Sequence, residues 1–187
     1  MSQRDLFAGD EPAIPGLLAV PDTVDAGEEA ELIARIDASG LEPFRFGQWR
    51  GKRLTANFGS GYDYARGALA DALPLPGWLL DLRARVVPLA GRDPERFAQA
   101  LVIRYDPGAG IGWHRDRPQY DEVIGLSLGA PAVLRLRRKA GEQWERRTHA
   151  LPARELYLLA GEARAQWQHS IAPMDAARWS VTFRSLR

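Results

Sequence analysis

Residues 101–116 read LVIRYDPGAGIGWHRD. The opening LVIRY belongs to a β-forming run over 98–105, and Asp106-Pro107-Gly108 supplies the turn chemistry that ends it. The residues after the turn carry the chemistry. On an extended strand, positions i and i+2 project to the same side, so His114 and Asp116 can reach one ion while Arg115 points away. Further short β-type runs follow at close spacing, over 122–128, 132–138, 146–151, 155–159 and 178–184, with turns such as Lys139-Ala140-Gly141 between them. Many short strands without intervening helices predict a sandwich or barrel.

Upstream the pattern is helical. Asp25 to Ser39 predicts a helix capped by Asp25, with Glu28 and Glu29 in its first turn, Leu32, Ile33 and Ile36 at helical spacing, and Gly40 as its stop. Gly77 to Leu89 predicts a second, with Leu79, Leu80, Leu82, Val86 and Val87 on its apolar side. Residues 1–15 lack periodicity and read as a loose tail. Between the helices, GQWRGKRLTANFGSGYDYARG (47–67) is rich in aromatics, glycine and cations. It reads as hairpins or loops that present Trp49, Phe58, Tyr62 and Tyr64, with Arg53 among the cations, for stacking a base and holding its phosphates. The competing expectation is a hairpin whose aromatics pack on the core.

The composition narrows the chemistry. The 187 residues, 45% of them hydrophobic, suffice for one domain with a real core. No apolar run approaches membrane-spanning length, and the first residues lack a signal peptide's apolar core, so a cytoplasmic protein is expected. Zero cysteines exclude disulfides and thiolate ligands, which leaves any strong metal site to carboxylates and the three histidines. Net charge is +1, too small to imply nucleic acid alone. Arg45, Arg50, Lys52 and Arg53 nevertheless form one basic cluster, and Arg135, Arg137, Arg138, Lys139, Arg146 and Arg147 another; a solvated arginine-rich surface explains these equally well. No interface signal is evident, and a monomer is expected.

His114 and Asp116, followed at a distance by His169, have the order and residue types of a 2-His-1-carboxylate facial triad, the usual cage for non-haem Fe(II). The same donors suit Mn, Co, Ni or Zn. A lone H-x-D arises often by chance, and the alternative is two surface residues plus a buried structural histidine. His149 has no carboxylate at i±2 and is expected to be structural. Arg178, Ser180, Thr182 and Arg184 share one face of the last strand, opposite Trp179, Val181 and Phe183. Periodicity alone puts the apolar face inward; a barrel holding a dicarboxylate would reverse that preference. Tyr105 shares its side with Leu101 and Ile103, where its hydroxyl could meet a bound carboxylate or simply lie at the rim of the core.

Together, LVIRYDPGAGIGWHRD, IGLSLGAPAVLRLRR, GEARAQWQHSI and RWSVTFR resemble the AlkB-like 2-oxoglutarate/Fe(II)-dependent dioxygenases, in the form of a bacterial member, and GKRLTANFGSGYDY resembles their substrate-facing segment. The resemblance implies a mostly β protein with N-terminal helices (α+β): a double-stranded β-helix, or jelly roll, over 97–187, and helices plus a nucleotide-recognition lid over 16–96. It implies His114, Asp116 and His169 as iron ligands. It also implies Arg178, Arg184, Tyr105 and Ser180 as 2-oxoglutarate contacts, with Fe(II), 2-oxoglutarate and O2 as the reacting set. The implied activity is oxidative dealkylation of N-alkylated DNA or RNA bases, releasing succinate, CO2 and formaldehyde. Two positions depart from the family pattern. Ile103 stands where repair members carry Asn, and Pro118 stands where they carry a base-reading acid, which leaves Asp121 or Glu122 as possible substitutes. A 2-oxoglutarate oxygenase of tRNA, protein or small molecules, and a non-catalytic metal-binding nucleic-acid module, therefore stay open.

Overall fold

The structure is a computed structural model that describes residues 14–46, 48–63, 68–71 and 73–187. In chain order its strands and helices are β1 (Leu17–Val20), α1 (Ala26–Asp37), β2 (Glu42–Phe46), β3 (Trp49–Phe58), β4 (Ser60–Asp63), β5 (Ala68–Asp71), α2 (Gly77–Val86), β6 (Gln99–Tyr105), β7 (Ile111–His114), β8 (Tyr120–Gly129), β9 (Ala132–Ala140), β10 (Gln143–Leu151), β11 (Leu156–Leu159), α3 (Gly161–Ala165), β12 (Gln168–Ile171) and β13 (Arg178–Leu186). Seven strands form a major sheet in the order β1-β11-β8-β13-β6-β3-β2, and four form a minor sheet, β10-β9-β12-β7. The two sheets face one another as a double-stranded β-helix. No helix among the described residues is long and apolar enough to cross a membrane.

Period-two alternation divides the core in two. Leu126, Leu128, Leu156, Leu158, Val181, Phe183, Ala100 and Val102 project from one face of the major sheet against Leu32 and Ile36 of α1 and Leu79, Leu82 and Val86 of α2. The opposite face gives Ile103, Tyr105, Val123 and Leu159, which meet Leu134, Leu136 and Ile171 of the minor sheet. β13 therefore has no solvent face. Val181 and Phe183 are buried under the helices, while Arg178, Ser180 and Thr182 are buried between the sheets.

The helices follow their end signals. Asp25 accepts from the Glu28 backbone N–H at 2.8 Å and caps α1. α2 ends three residues earlier than its apolar pattern predicts. Pro88 has no N–H to continue the ladder, and the chain tightens into a 3₁₀ turn over Val87–Ala90. Leu80, expected on the apolar side, is 40% exposed. The tail expected over 1–15 is cut short at its end: Ile14 is buried against the minor-sheet core, and its carbonyl accepts from Leu17. Gly16 lets the chain pass there, since a Cβ would meet the Ala160 carbonyl oxygen at 2.0 Å.

The 47–67 stretch departs most from its reading. Within it, β3 is a ten-residue strand inside the major sheet, paired with β6 from Leu54↔Arg104 to Phe58↔Ala100. Leu-Thr-Ala-Asn-Phe alternates, sending Phe58 into the helix-side core and Asn57 into the space between the sheets. β4 and β5 form a hairpin as expected, and β3 forms another with β2, from Glu42↔Thr55 to Phe46↔Trp49. The short strands β1 and β12 carried no signal of their own, and their pairing partners define them; the strand expected at His114 is β7, which ends there.

Candidate active site

The open end of the double-stranded β-helix holds a cavity of about 1050 Å³. His114 ends β7, and His169 lies directly opposite it on β12 in the antiparallel register. Their rings are 4.3 Å apart at an interplanar angle of 60°. Asp116 lies just beyond β7, and the ligand atoms of the three residues fall within 4.8 Å of one another. The segment carrying Asp116 is pinned to α3. Arg164 donates to the carbonyls of Arg117 and Tyr120, both at 2.7 Å, and Arg115 donates to the Ala165 carbonyl at 3.0 Å.

His114 and Asp116 each have a defined partner for their second atom. His114 Nδ1 lies 2.9 Å from the Gly112 carbonyl. A carbonyl only accepts, so Nδ1 carries the proton and Nε2 presents a lone pair. Asp116 Oδ1 accepts from Arg184 Nε at 2.8 Å, while Oδ2 faces His169 Nε2 at 3.5 Å. Burial alone would push the Asp116 carboxyl up. Arg184, the two histidines and Arg164 override it and hold the group well below the usual carboxylate range. Burial pushes His169 down to about 4, helped by His114 and opposed by Asp116, and burial likewise lowers His114. Near neutral pH the site thus presents one carboxylate and two neutral imidazoles, the state a divalent metal requires.

Arg178 is 1% exposed and lies on the interior face of β13. One Nη donates to Ser127 Oγ at 3.2 Å; Nε and the other Nη have no partner. Its guanidinium lies 5.3 Å from the Tyr105 ring, its cross-strand neighbour. Tyr157 crosses β8 at Gly125, where a Cβ would meet the ring at 2.3 Å. Burial pushes the Tyr157 phenol up to about 12, so it stays a neutral hydrogen-bonding group despite Arg178.

His114, Asp116, His169, Arg178, Arg184, Tyr105 and Ser180 all line this one cavity, and Arg53 joins them. Arg184, expected as a cosubstrate contact, also braces the triad. Its Nε is committed to Asp116, and one Nη donates to Gln99 Oε1 at 3.0 Å. Phe58 was expected at the substrate; it is 7% exposed and packs in the helix-side core, because its parity on β3 is that of Leu54 and Ala56. Trp49 and Tyr62 lie on β3 and β4, with side chains outside the described set, and Tyr64 lies outside the described residues. Asp121 and Glu122 do not take the place of the absent acid. They pair with Arg96 at 3.2 Å and Arg92 at 2.9 Å, away from the cavity. His149 Nε2 meets Glu155 at 2.8 Å, a structural pair. Ser127, Tyr157 and Gln99 also bear on the site and are not evident from the sequence pattern. Ser127 alone had a usable signal, a serine on an otherwise apolar strand opposite Ser180 in the register.

The 2OG-Fe(II) oxygenase superfamily model matches residues 29–184. The chain belongs to that superfamily. Members use Fe(II), 2-oxoglutarate and O2. Among AlkB-homologue relatives, the tRNA (carboxymethyluridine(34)-5-O)-methyltransferase ALKBH8 of Mus musculus is 29% identical over 94% of this chain and 27% of its own length. The alkylated DNA repair protein ALKBH8 homolog of Arabidopsis thaliana is 28% identical over 93% of this chain and 56% of its own. The chain thus spans between about a quarter and just over half of these relatives. The solved structure of OsALKBH1 superposes with a TM-score of 0.70 at 14% identity, covering 94% of this chain and all of that one, and it shares the jelly-roll fold. The donor set suits Fe(II), and the two unpartnered buried N–H groups of Arg178 suit the distal carboxylate of 2-oxoglutarate.

Proposed function

We propose that this oxygenase oxidatively removes N-alkyl groups from nucleic-acid bases. The charge of the cavity carries the reading. Seven arginines line it, at positions 53, 115, 117, 164, 178, 184 and 187, against a single carboxylate, Asp116, among the described residues. Such a pocket suits a substrate with its own negative backbone. The names of two relatives point the same way, one to tRNA and one to alkylated DNA.

In this reading His114, Asp116 and His169 hold the iron. Bound iron with 2-oxoglutarate and O2 supplies hydroxylation of the N-alkyl carbon, with succinate, CO2 and formaldehyde as the products. Arg178, held by its bond to Ser127, grips the distal carboxylate of the cosubstrate, with Ser180 and the Tyr105 ring beside it. Arg184, braced by Gln99, keeps Asp116 ionised and oriented. Leu134, Ile171 and Val123 give the cavity an apolar wall that limits water. The β4–β5 hairpin with the residues around it serves as the base-facing lid. A base in a duplex would have to leave the stack at a cost of roughly a few kcal/mol, so single strands are favoured.

The test is a panel of DNA and RNA oligonucleotides carrying N1-methyladenine or N3-methylcytosine, read by mass spectrometry for methyl loss. Methyl loss in step with succinate formation is expected, and substituting His114 or Asp116 with Ala should abolish both. Steady 2-oxoglutarate turnover with every oligonucleotide intact would refute the substrate class.

A further inference from the structure

The outer face of the minor sheet has a composition the catalytic reading does not use. Leu134 and Leu136 point inward, so Arg135, Arg137 and Lys139 project outward from β9. The register places Trp144 beside Lys139 and Arg146 beside Arg137 on that same face. At the far edge Trp113, one residue before His114, both reaches this face and lines the cavity.

These residues form an ordered stack. The Arg137 guanidinium lies 4.4 Å from the Trp113 ring and 4.2 Å from the Trp144 ring. Arg135 lies 5.3 Å from Trp113, and Lys139 lies 4.7 Å from Trp144. Arg137 Nε donates to Gln168 at 2.8 Å, and Arg135 Nε to Ser170 at 3.1 Å. Neutral partners fix both guanidinium groups without cancelling their charge. None of the four cations forms an ion pair among the described residues. The opposite parity behaves differently: Arg138 is paired to Glu145 and Glu162 at 2.6 Å, and Arg147 to Glu145 at 2.8 Å. Charge on this hairpin is thus sorted by face, in a chain whose net charge is only +1.

We propose that this outer face is the docking track for the phosphodiester backbone of a nucleic-acid strand, which leads past Trp113 to the cavity. The proposal rests on the nucleic-acid reading above and adds the surface that delivers the strand. Unpaired cations fit the phosphates, and the exposed edges of Trp113 and Trp144 fit the bases between them. The continuity at Trp113 makes the track part of the same site.

The experiment measures fluorescence anisotropy of a labelled single-stranded oligonucleotide carrying N1-methyladenine across a salt series. The full chain is used, loaded with Mn(II) and 2-oxoglutarate. Replacing Arg135, Arg137, Lys139 and Arg146 together with Gln should lower the slope of log Kd against log salt by up to about 3, since each phosphate contact on a single strand contributes about 0.7. The milder pair Lys139→Gln and Arg146→Gln, which leaves the Ser170 and Gln168 bonds alone, should remove about half of that. Trp144→Ala should weaken binding by about fivefold or more with little change in slope. Circular dichroism and the thermal shift on adding 2-oxoglutarate confirm that the variants are folded. Wild-type affinity and slope in the folded Lys139/Arg146 pair would overturn the track while leaving the substrate class standing. No oligonucleotide binding by the wild type would overturn both. Loss of binding to phosphatidylserine vesicles in the variants, with oligonucleotide binding intact, would assign the face to membranes and overturn the proposal.

Discussion

Replacing Arg178 with Met should have two effects of opposite sign. The residue is 1% exposed, and among the described residues its charge is met by one neutral hydrogen bond to Ser127, with Nε and one Nη unpaired. A buried cation so poorly compensated costs stability, and replacing it by an apolar side chain of similar length stabilises by about 1–4 kcal/mol. For a chain of 187 residues each kcal/mol moves the melting temperature by about 2–4 °C, so the metal-free variant should melt at least about 2 °C higher. The cosubstrate sees the reverse. Two charge-assisted hydrogen bonds to its distal carboxylate contribute about 3–4 kcal/mol together, or roughly 10²- to 10³-fold in Kd. Calorimetric titration of 2-oxoglutarate into Mn(II)-loaded protein without O2 reads the second effect, and thermal denaturation in EDTA reads the first. An unchanged Kd would refute the clamp. A lower melting temperature would refute the argument that the guanidinium is under-compensated.

Three more outcomes follow from the same geometry. Arg184→Met removes the group that most lowers Asp116, so burial should raise the carboxyl, and Mn(II) affinity should fall more at mildly acidic than at mildly basic pH; an equal loss at both would refute the positioning role. His169 is lowered to about 4 from an ordinary 6.5, so the unfolded chain binds the extra proton. The corresponding stability of the metal-free protein is fully present above about 6.5 and lost as pH falls towards 4. Urea midpoints in EDTA should show this slope in wild type and a flatter one in His169→Gln, and identical slopes would contradict it. Phe58→Ala should cost about 3–5 kcal/mol of stability while leaving the 2-oxoglutarate Kd unchanged, and a large change in that Kd would return Phe58 to the cavity.

Scarcity made the candidate metal site legible in the sequence. With no cysteine and three histidines, one of them placed without a neighbouring acid, few sets could form; strand parity suggested joining His114 to Asp116, but β7 ends at His114, and contacts of Arg115 and Arg164 hold the segment that carries Asp116. The side of β13 that holds Arg178 was not legible from β13 itself. Alternation states that two faces differ, while burial of both depends on α1 and α2 behind the sheet and β12 in front of it. Phe58 was misplaced for a related reason. Its Gly- and aromatic-rich surroundings masked the alternation of Leu54, Ala56 and Phe58, which only the pairing with β6 reveals. Gln99 and Ser127 gained their roles from contacts with Arg184 and Arg178, 85 and 51 residues away along the chain, distances over which local pattern is silent.

β13 is hydrogen-bonded on both edges, to β6 from Arg178↔Tyr105 to Arg184↔Gln99 and to β8 from Arg178↔Gly129 to Arg184↔Val123. A slip of one residue would carry Arg178 and Arg184 under the helices and turn Val181 and Phe183 towards His114, Asp116 and His169. Both wrong placements are costly, so the strand behaves as a key cut on two sides. Greasy and charged notches must engage together, and a misfolded chain with a sound hydrophobic interior but a scrambled reaction centre is not an accessible intermediate design. Substitutions of Val181 and Phe183, the β13 residues beneath α1 and α2, should accordingly be felt as altered chemistry, although they lie a full sheet's thickness from it.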